Sequence, residues 1–257
     1  MELSDKKVVL VERNEKVVYQ DGNRVVKAFK SSKPASDVFN EAVNVARVVE
    51  AGVRAPKVLE VSQTADGSWA LSTEYIPGTT LRKKMDEAKD DAEMRSLLEK
   101  FVDLQVEVQN TTAPGLLNSQ RAKFKQMVDK DKEIDPTSRY ELGMRADRMT
   151  GHKFICHGDF NPSNVILGDD GQTYVCDWAH VTRGLPEADA AMTYILFKMY
   201  HADQAELYLD LYSEKADMPK QKIMYWVPVV AAAELARGRK DSEEMLKSFV
   251  EATNDYE

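Results

Sequence analysis

Apolar and polar positions alternate through the first part of the chain and then take on a helical period. Three strand-length runs come first, at 7–11, 17–20 and 24–30, and Asp21-Gly22 between the last two is a hairpin signal. Val38, Ala42, Val45 and Val49 then recur on one helix face, which predicts a helix over 36–51 stopped by Gly52. Two more strands, at 57–63 and 68–75, flank an Asp66-Gly67 turn. Five strands with one helix after the third predict a compact β lobe that ends at Pro77-Gly78.

From Leu81 onward the pattern is helical. Met94, Leu97, Leu98, Phe101, Leu104 and Val108 mark one amphipathic helix, broken by Thr112-Ala113-Pro114-Gly115. Further helices are expected over 119–132 and 138–150. A short strand–loop–strand island at 154–177 follows, and helices fill the rest. The expected fold class is α+β. A small five-stranded antiparallel lobe with one helix, residues 1–76, is joined by a short hinge to a larger, mainly helical lobe, residues 77–257.

Composition narrows the function. The chain has 257 residues, 43% hydrophobic and 30% charged, in the range of a folded soluble protein. Its formal net charge of -8 argues against nucleic-acid binding, which needs lysines and arginines to displace counterions from phosphates. The longest apolar segment, 226–233, is interrupted by Pro228 and closed by Glu234, so no membrane span is expected. Cys156 and Cys176 are too few for a disulfide framework and lack zinc-site spacing. The expectation is a cytoplasmic protein with reduced thiols, taken as a monomer.

The chemistry concentrates in the island. It reads Cys156-His157-Gly158-Asp159-Phe160-Asn161-Pro162-Ser163-Asn164, with Asp177-Trp178 after a turn at Asp169-Asp170-Gly171. Phosphoryl transfer needs a carboxylate near the attacking hydroxyl and oxygen ligands for magnesium, because charge develops on phosphate oxygens. Asp159 is the candidate for the first role. Asn164 and Asp177 are the candidates for the second, because a hairpin brings the two loop ends to one edge. His157 is expected to support the loop rather than to react.

These residues resemble the aminoglycoside phosphotransferase family, small-molecule kinases with a protein-kinase-like fold. Gly158 and Trp178 match that branch; protein kinases carry Arg and Phe there. The resemblance covers most of the chain and is sharpest over 156–191. It implies that Lys27, on the third strand, binds the nucleotide phosphates, with Glu41 on the next helix as its partner. It also implies that the Glu74 carbonyl and the Ile76 amide meet the adenine edge, and that Asp189 braces the catalytic loop. The loop 12–16 lacks the glycine-rich pattern of protein kinases, so non-glycine residues must approach the phosphates there.

The resemblance thus implies a kinase that uses ATP or GTP with Mg2+ to phosphorylate a small hydroxyl compound. An antibiotic-modifying enzyme, a metabolic kinase for an amino alcohol or sugar, and a nucleotide-binding module without turnover remain alternatives. A polycationic acceptor would call for clustered carboxylates, for which Asp129, Asp131, Glu133, Asp255 and Glu257 are candidates. Only 178–186 separates Asp177 from the next helix. That is too short for a phosphorylation-ordered activation segment, so the enzyme is expected to be active as synthesised, Thr182 being the sole hydroxyl there.

Overall fold

The structure is a computed structural model and describes residues 1–252 apart from Asn14 and His152. The chain divides into two compact units. One comprises Met1–Lys84 and Ser163–His180; the other comprises Met85–Pro162 and the described residues from Val181 on.

The first unit is built on β1 (Val8–Arg13), β2 (Lys16–Asp21), β3 (Arg24–Phe29), α1 (Ala35–Glu50), β4 (Val58–Gln63) and β5 (Trp69–Glu74). The five strands form one antiparallel sheet in the order β1-β2-β3-β5-β4. At the β2–β3 turn Asp21 lies opposite Arg24, and Gly22 takes a φ of 65° that its missing Cβ allows. α1 covers one face of the sheet. Val38 and Ala42 of α1 pack with Phe29 and Leu71, and Val58, Val61 and Trp69 close the edge of this cluster. The apolar face of α1 continues through Val45 and Val48 rather than the expected Val49, and it also buries Glu41 and Asn44.

A second, three-stranded sheet in this unit consists of β6 (Gly78–Thr80), β8 (Val165–Gly168) and β9 (Thr173–Val175) in the order β6-β8-β9. β8 and β9 form the expected hairpin, with Val165 opposite Val175. Gly78 lies opposite Gly168 with a φ of 152°, and a Cβ there would run into the Leu167 carbonyl oxygen.

α2 (Leu81–Asp86) leads from the first unit to the second, which holds α3 (Asp91–Gln109), α4 (Gln120–Lys130), α5 (Pro136–Asp147), α6 (Pro186–Tyr200), α7 (Ala202–Lys215), α8 (Lys220–Met224), α9 (Val227–Ala236) and α10 (Glu243–Glu251). β7 (Phe154–Cys156) and β10 (Thr182–Gly184) form a short antiparallel pair beside them. Helix starts follow their caps. Asp90 accepts from the Glu93 N–H, Ser119 from the Ala122 N–H, and Asp135 from the Thr137 and Ser138 N–H groups ahead of Pro136. The core is aromatic. Phe101 packs against Phe160, Phe197 and Tyr208, all at most 1% exposed. Among the described residues no helix is long and apolar enough to cross a membrane.

Close approach of β6 to β8 makes Gly78 a stability determinant. Gly78→Ala must displace backbone rather than a flexible side chain, at a cost of about 1–3 kcal/mol. Thermal unfolding should fall by roughly 3–10 °C for a chain of this size. A variant that melts within about 1 °C of the parent would show that this strand contact carries no stability.

Candidate functional site

Lys27 stands in the middle of β3, and its Nζ contacts two carboxylates. It lies 2.6 Å from Glu41 Oε1, on the buried face of α1, and 2.9 Å from Asp177 Oδ1, just past β9. Lys16 Nζ, at the start of β2, takes the other Asp177 oxygen at 3.1 Å. The electrostatics follow from this placement. Burial pulls the Lys27 ammonium down, but Asp177 and Glu41 outweigh it and hold the group well above the ordinary lysine range. Burial likewise opposes the Asp177 carboxylate, and Lys27 and Lys16 overcome it and hold the carboxyl far below its usual range. Asp177 also has a φ of 64°, a left-handed conformation that Asp tolerates better than most side chains.

The sheet register puts apolar surface on the same face as this lysine. Lys27 lies opposite Val18, and Val18 lies opposite Val11. Val11 is 41% exposed, so it is not part of the core. Glu74 closes β5, with its N–H donating to the Lys57 carbonyl at 2.9 Å. Ile76 follows two residues later, before Pro77.

Asn164 and Asp177 belong to the same hairpin. The Cys176 N–H donates to the Asn164 carbonyl at 2.9 Å, at the end of the β8–β9 ladder, so Asn164 and Asp177 flank one end of it. An anionic and an amide oxygen donor there suit a hard cation that completes its shell with water and phosphate. Among the described residues no group of three or more His, Cys, Asp or Glu side chains could hold a metal ion by itself.

In the second unit the loop after β7 is held from within by Asp189, in the first turn of α6. Asp189 Oδ1 accepts from the Gly158 N–H at 2.8 Å, and Oδ2 accepts from the His157 N–H at 3.2 Å and from Gln109 Nε2 at 2.9 Å. Burial raises the Asp189 carboxyl, against the three donors that favour its anion. His157 is fully buried, packs edge-on against Phe160, and its Nδ1 accepts from the Asp159 N–H at 3.2 Å. Gly158 turns the loop with a φ of 75°. Asn161 Nδ2 donates to the Asp159 carbonyl and carboxylate at 3.1 and 3.3 Å.

The sequence profile of the phosphotransferase enzyme family matches residues 12–222. The chain belongs to this family. It is therefore a phosphotransferase. Solved structures agree on the fold. A thermostable mutant of aminoglycoside phosphotransferase APH(4)-Ia is 18% identical, covers 98% of this chain and 94% of its own, and superposes with a TM-score of 0.68. A choline/ethanolamine kinase family protein from Mesorhizobium loti is 14% identical over 97% of this chain and 86% of its own, with a TM-score of 0.63. The GDP complex of wild-type aminoglycoside 2'-phosphotransferase-IIIa is 17% identical over 97% and 92%, with a TM-score of 0.62. No curated protein sequence matches the chain. The fold is α+β and protein-kinase-like.

Several residues of this phosphotransferase's site were not legible in its sequence. Lys16 reaches Asp177 only because β2 and β3 pair, and nothing local distinguishes it from a loop lysine. Gln109 and Gln105 sit on the buried side of α3, between apolar positions that read as a plain amphipathic stripe. Two of the carboxylates considered for a polycation have contacts of their own. Asp129 pairs with Lys125, and Asp131 is buried with one oxygen on the Glu133 N–H. Asp255 and Glu257 lie outside the described residues. Thr182 is 3% exposed and lies opposite Cys156 in the β7–β10 pair, which closes it to a protein kinase.

Asp189→Asn tests the loop support. The amide would turn one accepting oxygen into a donor facing a backbone or Gln109 N–H, which costs about 1–3 kcal/mol. Chemical denaturation should show that loss. A change below about 0.5 kcal/mol would mean that these hydrogen bonds contribute nothing net.

Proposed function

We propose that the protein transfers the terminal phosphoryl group of ATP or GTP to a hydroxyl of a small molecule, with Mg2+ bound at Asp177 and Asn164. The observation that carries this reading is the Lys27 ammonium held by both Glu41 and Asp177, at 2.6 and 2.9 Å. A lysine fixed in its charged form beside a carboxylate suits a nucleotide's phosphates and their cation. A related APH(4)-Ia structure was solved with AMP-PNP and hygromycin B, and 2'-phosphotransferase-IIIa with GDP, which supports a nucleotide co-substrate of either base.

In this reading residues 1–76 bind nucleotide, with Lys27 on the phosphates, Glu41 holding Lys27, and the Glu74 carbonyl and Ile76 amide on the base. Residues 77–257 carry the catalytic loop and the acceptor site. Asp159 orients the acceptor hydroxyl and takes its proton, while His157 and Asp189 keep the loop in shape. Magnesium would neutralise charge on the phosphate oxygens. Catalysis is then mostly positioning and charge stabilisation. The enzyme works in the cytoplasm as a monomer and needs no phosphorylation of its own chain.

Asp159→Asn should cut turnover by about 10²–10⁴ while leaving nucleotide affinity within a few-fold of the parent. Activity within a few-fold of the parent on a confirmed acceptor would remove Asp159 from the chemistry. Asp177→Ala should instead abolish the magnesium dependence of nucleotide binding, and Asn164→Ala should weaken it less. Titration of ATP with and without magnesium measures both. An unchanged magnesium effect in Asp177→Ala would place the cation elsewhere.

A further inference from the structure

β1 is an edge strand that is left unusually bare. It closes one side of the five-stranded sheet, with β2 beside it and no strand beyond. An edge presents a row of backbone N–H and C=O groups that another strand can take up. Proteins blunt such edges with a lysine or proline, a bulge or a covering segment. β1 reads Val8-Val9-Leu10-Val11-Glu12-Arg13, and every residue in it is exposed. Its four apolar residues are 56%, 53%, 46% and 41% exposed in chain order, so they stand in water. The strand has a bulge between Val9 and Val11, but neither lysine nor proline between Lys7 and Glu12.

The register shows which side chains share a face. Val9 lies opposite Tyr19, which lies opposite Val26, and Glu12 lies opposite Val17, which lies opposite Ala28. Val26 and Ala28 are two apart on β3, so Val9 and Glu12 share the face turned away from Lys27. Lys7, two residues before Val9, falls on that face by strand alternation. Val8 and Val11 trace through Gln20 and Val18 to Val25 and Lys27, which places both on the other face. The bulge makes this possible, because without the extra residue Val9 and Glu12 would point to opposite sides. One face of β1 therefore reads cation, apolar, anion, centred on Val9, and the other is apolar on both sides of that centre. The Lys7 ammonium reaches the Ser4 carbonyl at 3.5 Å, a contact that leaves its charge uncompensated.

We propose that β1 pairs antiparallel with β1 of a second copy of this chain, about a two-fold axis through Val9. The two five-stranded sheets then become one. Val9 meets the partner's Val9, and Lys7 of each copy meets the partner's Glu12. On the opposite face Val8 of each copy meets the partner's Val11. A two-fold interface requires a surface that complements itself, and this strand has one in both charge and apolarity. About six residues a side bury less than a standard interface, so the association is weak, with a dissociation constant on the order of micromolar. The pairing uses the first unit alone and leaves the monomer as the catalytic unit. It does not rest on the proposed phosphoryl transfer.

Sedimentation equilibrium of the full chain over about 1–200 μM is the first measurement, and the mass should rise from the 29.0 kDa of one copy toward twice that value. Val9→Lys sets two like charges against each other on the axis and should weaken the dimer about tenfold or more. Lys7→Glu and Glu12→Lys should each weaken it roughly 3- to 30-fold, because two attractive pairs become repulsive in either variant. Combined in one chain they exchange the signs and should return the dissociation constant to within about twofold of the parent. Val9→Cys gives an independent check. Paired strands hold facing Cα atoms about 4.5–5.5 Å apart, within disulfide range, so mild copper-catalysed oxidation should yield a covalent dimer that the parent does not form. A parent chain that stays at 29.0 kDa throughout overturns the proposal, and leaves the edge bare or to a strand of a different protein. So does a dimer indifferent to Val9→Lys, a combined variant no tighter than the single ones, or growth beyond two copies, which a closed two-fold pairing forbids.

Discussion

The contact of the Lys27 ammonium with Glu41 and Asp177 is the interaction on which the first unit depends. It ties the middle of β3 to α1 and to the end of the β8–β9 hairpin through one nitrogen. Lys27 and Glu41 are 15% and 6% exposed, so neither charge has water enough to stand alone. Removing one partner from such a pair costs about 3–5 kcal/mol. The hairpin meets the requirement by placing Asp177 in a left-handed conformation, which costs about 1–3 kcal/mol by itself and persists because the surrounding ladder enforces it.

The second unit solves a similar problem with neutral donors. Gln109 and Gln105 line one side of α3 and carry hydrogen bonds into the core. Gln109 gives to Asp189, and Gln105 gives to Thr193, whose hydroxyl donates to the Phe160 carbonyl at 3.1 Å. The Tyr208 and Tyr212 hydroxyls complete the two amides. The loop 157–160 is therefore held by contacts of its backbone to buried side chains. Fully satisfied networks of this kind rigidify what they touch. They leave Asp159 on a fixed backbone, which the role proposed for it calls for.

The hydrophobic period and the turn residues made most of the fold legible. The β2–β3 hairpin followed from Asp21-Gly22, α1 from the Val38–Ala42–Val45 spacing, and the β8–β9 hairpin from Asp169-Asp170-Gly171. Asp159, Asn164 and Asp177 could be singled out because their spacing is local. Lys27 and Asp189 needed the family resemblance, since a lysine in a strand and an aspartate in a helix look ordinary by themselves. Lys16 and Gln109 were not legible at all. Their partners are set by sheet register or by helix packing, and a polar residue among apolar neighbours reads as surface until tertiary structure shows it buried.

The central claim is that Lys27 holds the phosphates of a magnesium nucleotide. Calorimetric titration of ATP in the presence of magnesium, on the parent protein and on Lys27→Met, tests it most directly. The account predicts an affinity lower by about 10- to 100-fold in the variant, the worth of a charge-assisted contact, in protein whose retained fold is checked by circular dichroism. Equal dissociation constants in folded Lys27→Met and parent would contradict it.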